Sequence, residues 1–80
     1  MNDIFDKVKL IEDNLSRMVE DAIHVLLNAG ALPGDMLIES LPDKRGVVGH
    51  RRLCWLGKPR YEVFVEREGF VLRCVGRPVE

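Results

Sequence analysis

Side chains that could act as nucleophiles are few in this sequence of 80 residues, which contains no threonine. A serine or cysteine nucleophile needs a general base within hydrogen-bond reach, most often a histidine. No spacing in the sequence brings such a pair together, so we predict that the protein is not an enzyme and has no small-molecule substrate. The candidate groups are Ser16, Ser40, Cys54 and Cys74 as nucleophiles, with His24 and His50 as bases.

The two cysteines and two histidines also match, by number alone, a set of zinc ligands. Structural zinc sites take their cysteines from close pairs, with roughly two to four residues between them, whereas Cys54 and Cys74 lie 20 residues apart. We expect reduced thiols that fill space in the core, and we predict no metal or other cofactor. The acidic start of the chain and its short apolar runs, of which 53–56 is the longest, predict a cytoplasmic protein without a membrane segment.

Charged side chains are numerous, and their distribution along the chain is uneven. Twelve Lys and Arg residues against thirteen Asp and Glu residues give a formal net charge of -1. Residues 1–43 carry nine acidic and three basic side chains, whereas residues 44–80 carry four acidic and nine basic ones. Seven of the nine basic residues in the second half are arginines, which pair bidentately with carboxylates and phosphates. The near-zero total therefore conceals an acidic first half and a basic second half.

The basic half supplies the predicted partner-binding surface. We expect Phe64 on the outward face of a sheet among arginines, where guanidinium groups and an aromatic ring offer both ion pairs and stacking. The alternative is a lattice of salt bridges with Glu62 and Glu66 that only solvates the sheet. The predicted partner-binding residues are Lys44, Arg45, Arg51, Arg52, Arg60, Phe64, Arg73 and Arg77.

The acidic half is dominated by one predicted helix over residues 1–30. Its apolar residues recur at alternating spacings of four and three, which makes a continuous apolar stripe. About 26 helical residues span about 40 Å, more than the diameter of about 30 Å expected for a compact domain of this size. We therefore predict that the overhanging stripe pairs with a second copy in a homodimer, the alternative being that it only covers the sheet. The wider apolar C-terminal half is expected to cover the sheet in either case. The predicted dimer contacts are Ile4, Val8, Ile11, Leu15 and Met18.

Residues 31–46 are predicted to connect this helix to a sheet. Pro33 and Gly34 are a turn signal, and the apolar residues of 36–41 fit a short helix begun by Asp35 or, alternatively, a short strand. After Val47 the pattern changes to alternation, and residues 47–77 are predicted to form a three-stranded antiparallel meander. The register of its first strand stays open, because two loop lengths fit the following turn.

A two-residue turn at Glu68 and Gly69 sets the predicted register of the last hairpin. Phe64 then falls on the outward face, opposite Arg73, and is expected to be exposed there. The pairs expected on the face toward the helix are Val65 with Leu72 and Val63 with Cys74.

These elements predict a single α+β domain over residues 1–80, in which a long N-terminal helix packs on a three-stranded sheet in two layers. The predicted function is that of a small intracellular regulatory or adaptor protein, a homodimer that binds another protein through its Arg-rich sheet or its acidic helix. The alternative is a nucleic-acid-binding protein that contacts the phosphate backbone through the basic sheet and loop at 44–77. The net charge, the acidic helix and the scarcity of uncharged polar side chains in the basic half favour a protein partner.

Overall fold

The computed structural model describes the backbone of residues 3–79 and the side chains of residues 7–79. The elements in chain order are helix α1 (Asp3–Asn28), a 3₁₀ turn (Pro33–Asp35) and strands β1 (Met36–Ser40), β2 (Val47–Trp55), β3 (Lys58–Glu68) and β4 (Val71–Pro78). The strands form one antiparallel sheet in the order β1-β2-β3-β4. The predicted α+β class is confirmed, but the sheet has four strands and not three.

The additional strand, β1, lies in the segment predicted to be a connector. A single 3₁₀ turn precedes it, closed by a hydrogen bond from the Met36 N–H to the Pro33 carbonyl, and the backbone is extended from Met36 onward. All five residues of β1 then pair with β2. An isolated helix of this length is unstable because nucleation costs more than its few hydrogen bonds return, whereas the edge of β2 supplies partners at once. The strand alternative is confirmed, and the short helix is wrong.

Helix α1 ends at Asn28, two residues before the predicted end at residue 30. The Gly30 N–H donates to the Leu27 carbonyl at 3.1 Å, and the Ala31 N–H donates to the Leu26 carbonyl at 2.9 Å. This pair of bonds is a Schellman motif, which satisfies carbonyls that the helix itself leaves free. Ala31 is 6% exposed, so the end of the helix is anchored in the core.

The core lies between α1 and the centre of the sheet. Leu15 and Val19 of α1, 2% and 7% exposed, pack against Val63 and Val65 of β3, 1% and 2% exposed. Burial of each such side chain is worth about 1.5 to 3 kcal/mol relative to exposure. Partly buried residues surround this cluster; they are Ile11, Met18, Ile23, Tyr61 and Cys74.

This packing corrects the position expected for most of the dimer stripe. Ile11, Leu15 and Met18 contact the sheet of their own chain, because so small a domain has too thin a core to leave its best apolar stripe unused. Val8, which is 47% exposed, remains on the surface. The side chain of Ile4 lies outside the described residues. The molecule is nevertheless elongated, measuring 43 × 26 × 16 Å with a radius of gyration of 13.7 Å, against about 12 Å for a compact chain of this length.

A bulge in β2 decides which way the following side chains point. The pairs Val48↔Val65 and Arg51↔Val63 leave one extra residue in β2, and Gly49 there has a φ of 64°, as in the glycine type of β-bulge. Its N–H donates to Asp43 Oδ1 at 3.1 Å. A Cβ at Gly49 would lie 3.0 Å from Leu15 Cδ1, so glycine is needed for both conformation and space. The bulge reverses the alternation of β2 before His50.

The register of the β3–β4 hairpin differs from the predicted one by two residues. Val65 pairs with Cys74 and Val63 with Gly76, and the two loop residues are Gly69 and Phe70. Gly69 has a φ of 60°, which suits the first loop position of a tight hairpin, and Phe70 is left fully exposed. Because the shift is an even number of residues, the side chains of residues 61–67 and 71–75 keep their predicted faces.

Candidate protein-interaction surface

The sheet has two faces of different character. The helix-covered face carries Val63 and Val65, which contact α1. We call the other side the open face; Phe64 of β3 defines it, because successive residues of a strand point to opposite sides. No helix or strand of residues 3–79 packs on the open face. Cross-strand pairing assigns further residues to it; they are Glu39 of β1, Arg52 of β2, Glu62, Glu66 and Glu68 of β3, and Val71, Arg73, Val75 and Arg77 of β4.

A row of alternating charges crosses the open face. Glu39 pairs with Arg52, Arg52 with Glu62, and Glu62 with Arg77, so one residue from each strand contributes to it. We call these four residues the charge row. Opposite charges directly across an antiparallel pair are mutually stabilising. The row exists because of the observed register: the predicted register would have placed Glu62 opposite Val75.

Glu62 is the most contacted member of the charge row. Arg77 Nε donates to its Oε1 at 2.6 Å, and His50 Nε2 donates to its Oε2 at 2.9 Å. The side chains of Glu62 and His50 are each only 12% exposed. The hydrogen bond from Arg77 lowers the pKa of the Glu62 carboxyl below its ordinary value, and the bond from His50 acts in the same direction, while burial opposes both. Glu62 is therefore an ionised, hydrogen-bonded carboxylate.

Phe64 is buried on the open face, although the sequence predicted an exposed ring. It is 5% exposed. The guanidinium of Arg77 lies over the ring, with Cζ 5.2 Å from its centroid, and the His50 ring meets it edge-on at 5.6 Å and 69°. Side chains anchored on Glu62 thus cover Phe64 in place of a helix. The exposure expected for Phe64 is corrected for this reason.

Two arginines of the open face keep donors for a partner. Arg73 Nη2 donates to Glu66 Oε1 at 3.0 Å, and Arg77 bonds Glu62 through Nε. Their side chains remain 65% and 62% exposed. Each guanidinium has five N–H donors, so both can bind a further carboxylate without releasing the first.

The structure brings together half of the predicted partner-binding residues. Arg52, Phe64, Arg73 and Arg77 share the open face. The other four lie elsewhere. Lys44 forms an isolated bridge with Val47, and Arg45 lies between them in the same turn; Arg51 pairs with Val63 on the helix-covered face; and Arg60 lies over Trp55, 5.1 Å from the ring centroid.

Arg60 departs from the predicted face because β3 contains its own irregularity. Leu53 pairs with Tyr61 and Cys54 with Pro59, which leaves Arg60 as an extra residue. Sequence reasoning missed this irregularity, the bulge at Gly49 and therefore the position of His50 beside Glu62. An isolated glycine inside a strand pattern, here Gly49 after Val47 and Val48, is the one local signal for the bulge; nothing local signals the irregularity at Arg60.

The candidate nucleophiles do not meet the histidines. Ser16 and Ser40 line one groove of about 380 Å³ between α1 and β1, together with Arg51 and Glu20. Cys54 is buried and free. Burial raises the pKa of its thiol, and the nearby Glu39 carboxylate raises that pKa further, while Arg52 opposes the rise. A thiol with a raised pKa is a poor nucleophile at neutral pH.

Metal sites and membrane-spanning helices were the two remaining possibilities. Among the side chains of residues 7–79, no three His, Cys, Asp or Glu groups are arranged to hold a metal ion. In the part of the chain that the structure describes, no helix combines the length and the apolar content needed to cross a membrane.

A second groove, of about 530 Å³, runs along the other side of α1, toward β4. Its helix residues recur every three or four positions and so lie along one side of α1. Its opposite wall is formed by the start of β3 and the end of β4. Asp21 and Arg60 are its charged members. The apolar lining residues are Met18, Ala22, Val25, Leu26, Tyr61, Pro78 and Val79.

Comparison with known proteins gave no match: no protein-family model, no curated protein and no solved structure is similar to this chain.

Proposed function

We propose that this chain is a non-enzymatic cytoplasmic adaptor domain that forms a homodimer through the N-terminal part of α1 and binds another protein through the open face of its sheet. The observation that carries the proposal is the charge row. Arg77 and, beside the row, Arg73 are each paired with a glutamate and yet remain more than 60% exposed. Exposed arginines that keep free donors are enriched at protein interfaces.

The composition of the open face favours a protein over a nucleic acid. Its described residues include three arginines, matched by four glutamates, Glu68 among them. A surface that binds phosphates gains its affinity from unmatched Lys and Arg residues that displace counterions. Lys44, Arg45, Arg51 and Arg60 add no continuous basic surface, because they lie in a turn, on the helix-covered face and over Trp55.

Fewer residues are available for a dimer contact than the sequence predicted, but Val8 is still exposed. Leu15 is committed to the core of its own chain, whereas Val8, another residue of the predicted stripe, is 47% exposed in the first third of α1. Leu10, which is 60% exposed, lies two positions further along and therefore on a different side of the helix. A dimer contact through Val8 would shield its side chain from water.

The non-enzymatic and cytoplasmic parts of the proposal rest on the thiols and hydroxyls. The pKa of the Cys54 thiol is raised, and the groove that holds Ser16 and Ser40 is lined by neither histidine. Both cysteines are free, and Cys54 and Cys74 lie on opposite faces of the sheet. Unpaired thiols of this kind are typical of reducing compartments.

Charge-reversal variants test the binding surface. The double variant Arg73→Glu and Arg77→Glu should lose a protein partner captured by immobilised wild-type chain, because both exposed guanidinium groups change sign. Lys44→Glu with Arg45→Glu makes the same change of charge in the turn and should retain that partner. Thermal melts of both variants monitor folding. Labelled double-stranded or single-stranded nucleic acid should not bind the wild-type chain at about 50 mM salt. Salt-sensitive binding of nucleic acid that is lost in the Arg73→Glu and Arg77→Glu variant would overturn the choice of a protein partner.

The dimer is tested by light scattering. We expect a mass twice the 9.1 kDa of one chain at high micromolar concentration, reduced to one chain by Val8→Glu. Val25→Glu is the matched control, because Val25 is 66% exposed in the opposite half of the helix, and it should remain dimeric. A wild-type mass of one chain would contradict the dimer while leaving the binding surface untouched.

A further inference from the structure

Strand β4 is an edge of the sheet, and its backbone presents a row of free hydrogen-bonding groups. The Val79 N–H donates to the Arg60 carbonyl at 3.0 Å. In an antiparallel pair only alternate residues bond the partner strand, so Arg77, Val75, Arg73 and Val71 direct their N–H and C=O groups toward β3. The intervening residues, Leu72, Cys74 and Gly76, direct theirs away from the sheet. Among residues 3–79, no strand pairs with this side of β4.

The charge row ends at this edge with Arg77, which has an oppositely charged neighbour on β3 only. From β1 to β4 the signs alternate as Glu39, Arg52, Glu62 and Arg77. Each of the first three has a neighbour of opposite sign on its β4 side, but Arg77 has no strand beyond it. Arg73, which lies opposite Glu66, ends its pair in the same way. Two carboxylates on an added strand, one opposite Arg73 and one opposite Arg77, would continue the alternation of charges in both rows.

On the helix-covered face, the region beside the β4 edge is apolar. Met18 of α1 lies so close to Gly76 that a Cβ there would be 2.7 Å from Met18 Cε. The groove of about 530 Å³ begins at this point and is walled by Pro78 and Val79 on the sheet side and by Ala22 and Val25 on the helix side. Side chains on the helix side of an added strand would enter this groove.

We propose that the β4 edge binds an extended segment of another protein, added as a fifth strand, in which acidic side chains facing Arg73 and Arg77 alternate with apolar side chains facing the α1 groove. This inference rests on the proposed function and names the class of partner. Backbone hydrogen bonds supply affinity in such strand addition, and the alternating side chains supply specificity.

A second copy of this chain is a poorer occupant of the edge. Pairing two β4 strands about Val75 would place Arg73 of one copy opposite Arg77 of the other, and like charges across strands repel. Charged residues on an edge strand commonly prevent self-pairing for this reason. Pairing of β4 with β1 of a second copy would match Glu39 with one arginine, but that contact is head-to-tail and would produce a ring or an open filament.

The test uses an eight-residue peptide in which Glu and Val alternate, titrated into isotopically labelled full-length protein. Bound peptide should slow amide hydrogen exchange at Leu72, Cys74 and Gly76 and leave Arg73 and Val75, which already bond β3, unchanged. The same peptide with Lys in place of Glu, and the Glu peptide N-methylated at alternate residues, should each bind at least about fivefold more weakly, as expected for lost charge-assisted and backbone bonds.

Variants of the protein separate the edge from the open face. Leu72→Pro removes one outward N–H without removing a bond to β3 and should weaken peptide binding by about fivefold or more. Leu72→Ala is the matched control, because it shortens the same side chain and keeps the N–H, and it should bind like wild type. Arg73→Glu with Arg77→Glu should abolish binding, and Lys44→Glu should not. A thermal melt and a backbone NMR spectrum confirm that Leu72→Pro folds.

Three results would overturn the inference. They are absence of binding at millimolar peptide, equal binding by the Leu72→Pro and Leu72→Ala variants, and concentration-dependent protection of the same amides in protein without peptide, which would make a second copy the occupant. A captured protein partner that depends on Arg73 and Arg77 but not on the Leu72 N–H would leave the proposed function standing and this inference refuted.

Discussion

Val63, Phe64 and Val65 are consecutive residues of β3, and all three are buried, but by different means. Val63 and Val65 are covered by the apolar stripe of α1. Phe64 is covered by Arg77 and His50, which both bond Glu62. The helix-covered face thus excludes water by close packing, whereas the open face does so with side chains held by ion pairs.

This difference separates stability from recognition. Close packing on the helix-covered face depends on fixed volumes and tolerates little change. Arg73 and Arg77 on the open face are long side chains that remain exposed at their ends, and a partner can move them without unfolding the domain. We therefore expect substitutions on the first face to affect unfolding most, and those on the second to affect binding.

The largest effect on stability is expected for Leu15→Ala. This side chain is 2% exposed at the centre of the core, and its truncation should lower the free energy of unfolding by about 3 kcal/mol through lost transfer energy and a cavity. Chemical denaturation of the variant and wild type measures the difference. A loss below about 1 kcal/mol would show that the helix is not the principal cover of the sheet.

Phe64→Leu should have a smaller effect. The leucine keeps most of the buried volume, and the flexible side chains above it can close over the gap, so we expect a loss of about 1 kcal/mol. The same denaturation experiment applies. If the loss equalled that of Leu15→Ala, the two faces would contribute alike and the distinction drawn between them would fail.

Glu62→Gln should destabilise the protein by about 1 kcal/mol at neutral pH, because it removes a charge-assisted hydrogen-bond acceptor shared by Arg77 and His50. The pKa of Glu62 is lower in the folded state, so its contribution is present above the unfolded value of about 4.3 and is lost as pH falls through the folded pKa. The melting temperatures of the two proteins should therefore approach each other as the pH falls below about 4.3.

The control for this measurement is Glu68→Gln, the same chemical change at an exposed position of the same strand. It should reproduce neither the loss at neutral pH nor the convergence in acid. A constant difference between wild type and Glu62→Gln at every pH would contradict the assignment of the effect to carboxylate ionisation.

The smallest effect is expected for the ion pair between Arg73 and Glu66. Arg73 is 65% exposed, and exposed pairs contribute about 0.2 to 1 kcal/mol. A double-mutant cycle of Arg73→Ala and Glu66→Gln should give a coupling near the lower limit. A coupling above 1 kcal/mol would mean that the open face stabilises the fold by its ion pairs, against the view that it serves recognition.

Much of the fold followed from local patterns in the sequence. The apolar spacing of residues 1–30 predicted the helix, with an end two residues beyond the observed one. Alternation in the last two strands assigned the side chains of 61–67 and 71–75 to the correct faces even though the register was wrong, because the error was an even number of residues. Arg60 is the exception, because the irregularity in β3 moves it to the other face. Of the candidate surface, alternation placed Phe64 and Arg73 on one face, as in the structure. The face of Arg52 stayed open with the register of its strand.

The errors share a cause. The segment 36–40 carries only a weak local preference, and pairing with β2 made it a strand. The apolar stripe through Leu15 fits a partner helix and a sheet equally well, so periodicity alone could not identify which surface covers it. Phe64 was expected to be exposed because its cover, Arg77 and His50, comes from β4 and β2 and is remote in sequence.

The sequence by itself determined the helix, the alternating strands after Val47, the faces of most of their side chains and the separation of acidic and basic halves, since these depend on residues within a few positions of one another. Only the tertiary structure decided the register of β4, the bulge at Gly49 and the charge row from Glu39 to Arg77. Those features depend on bonds between strands. A shift of β4 by two residues along β3 leaves each paired side chain on the same face of the sheet, but it places Glu62 and Glu66 opposite valines and not opposite arginines.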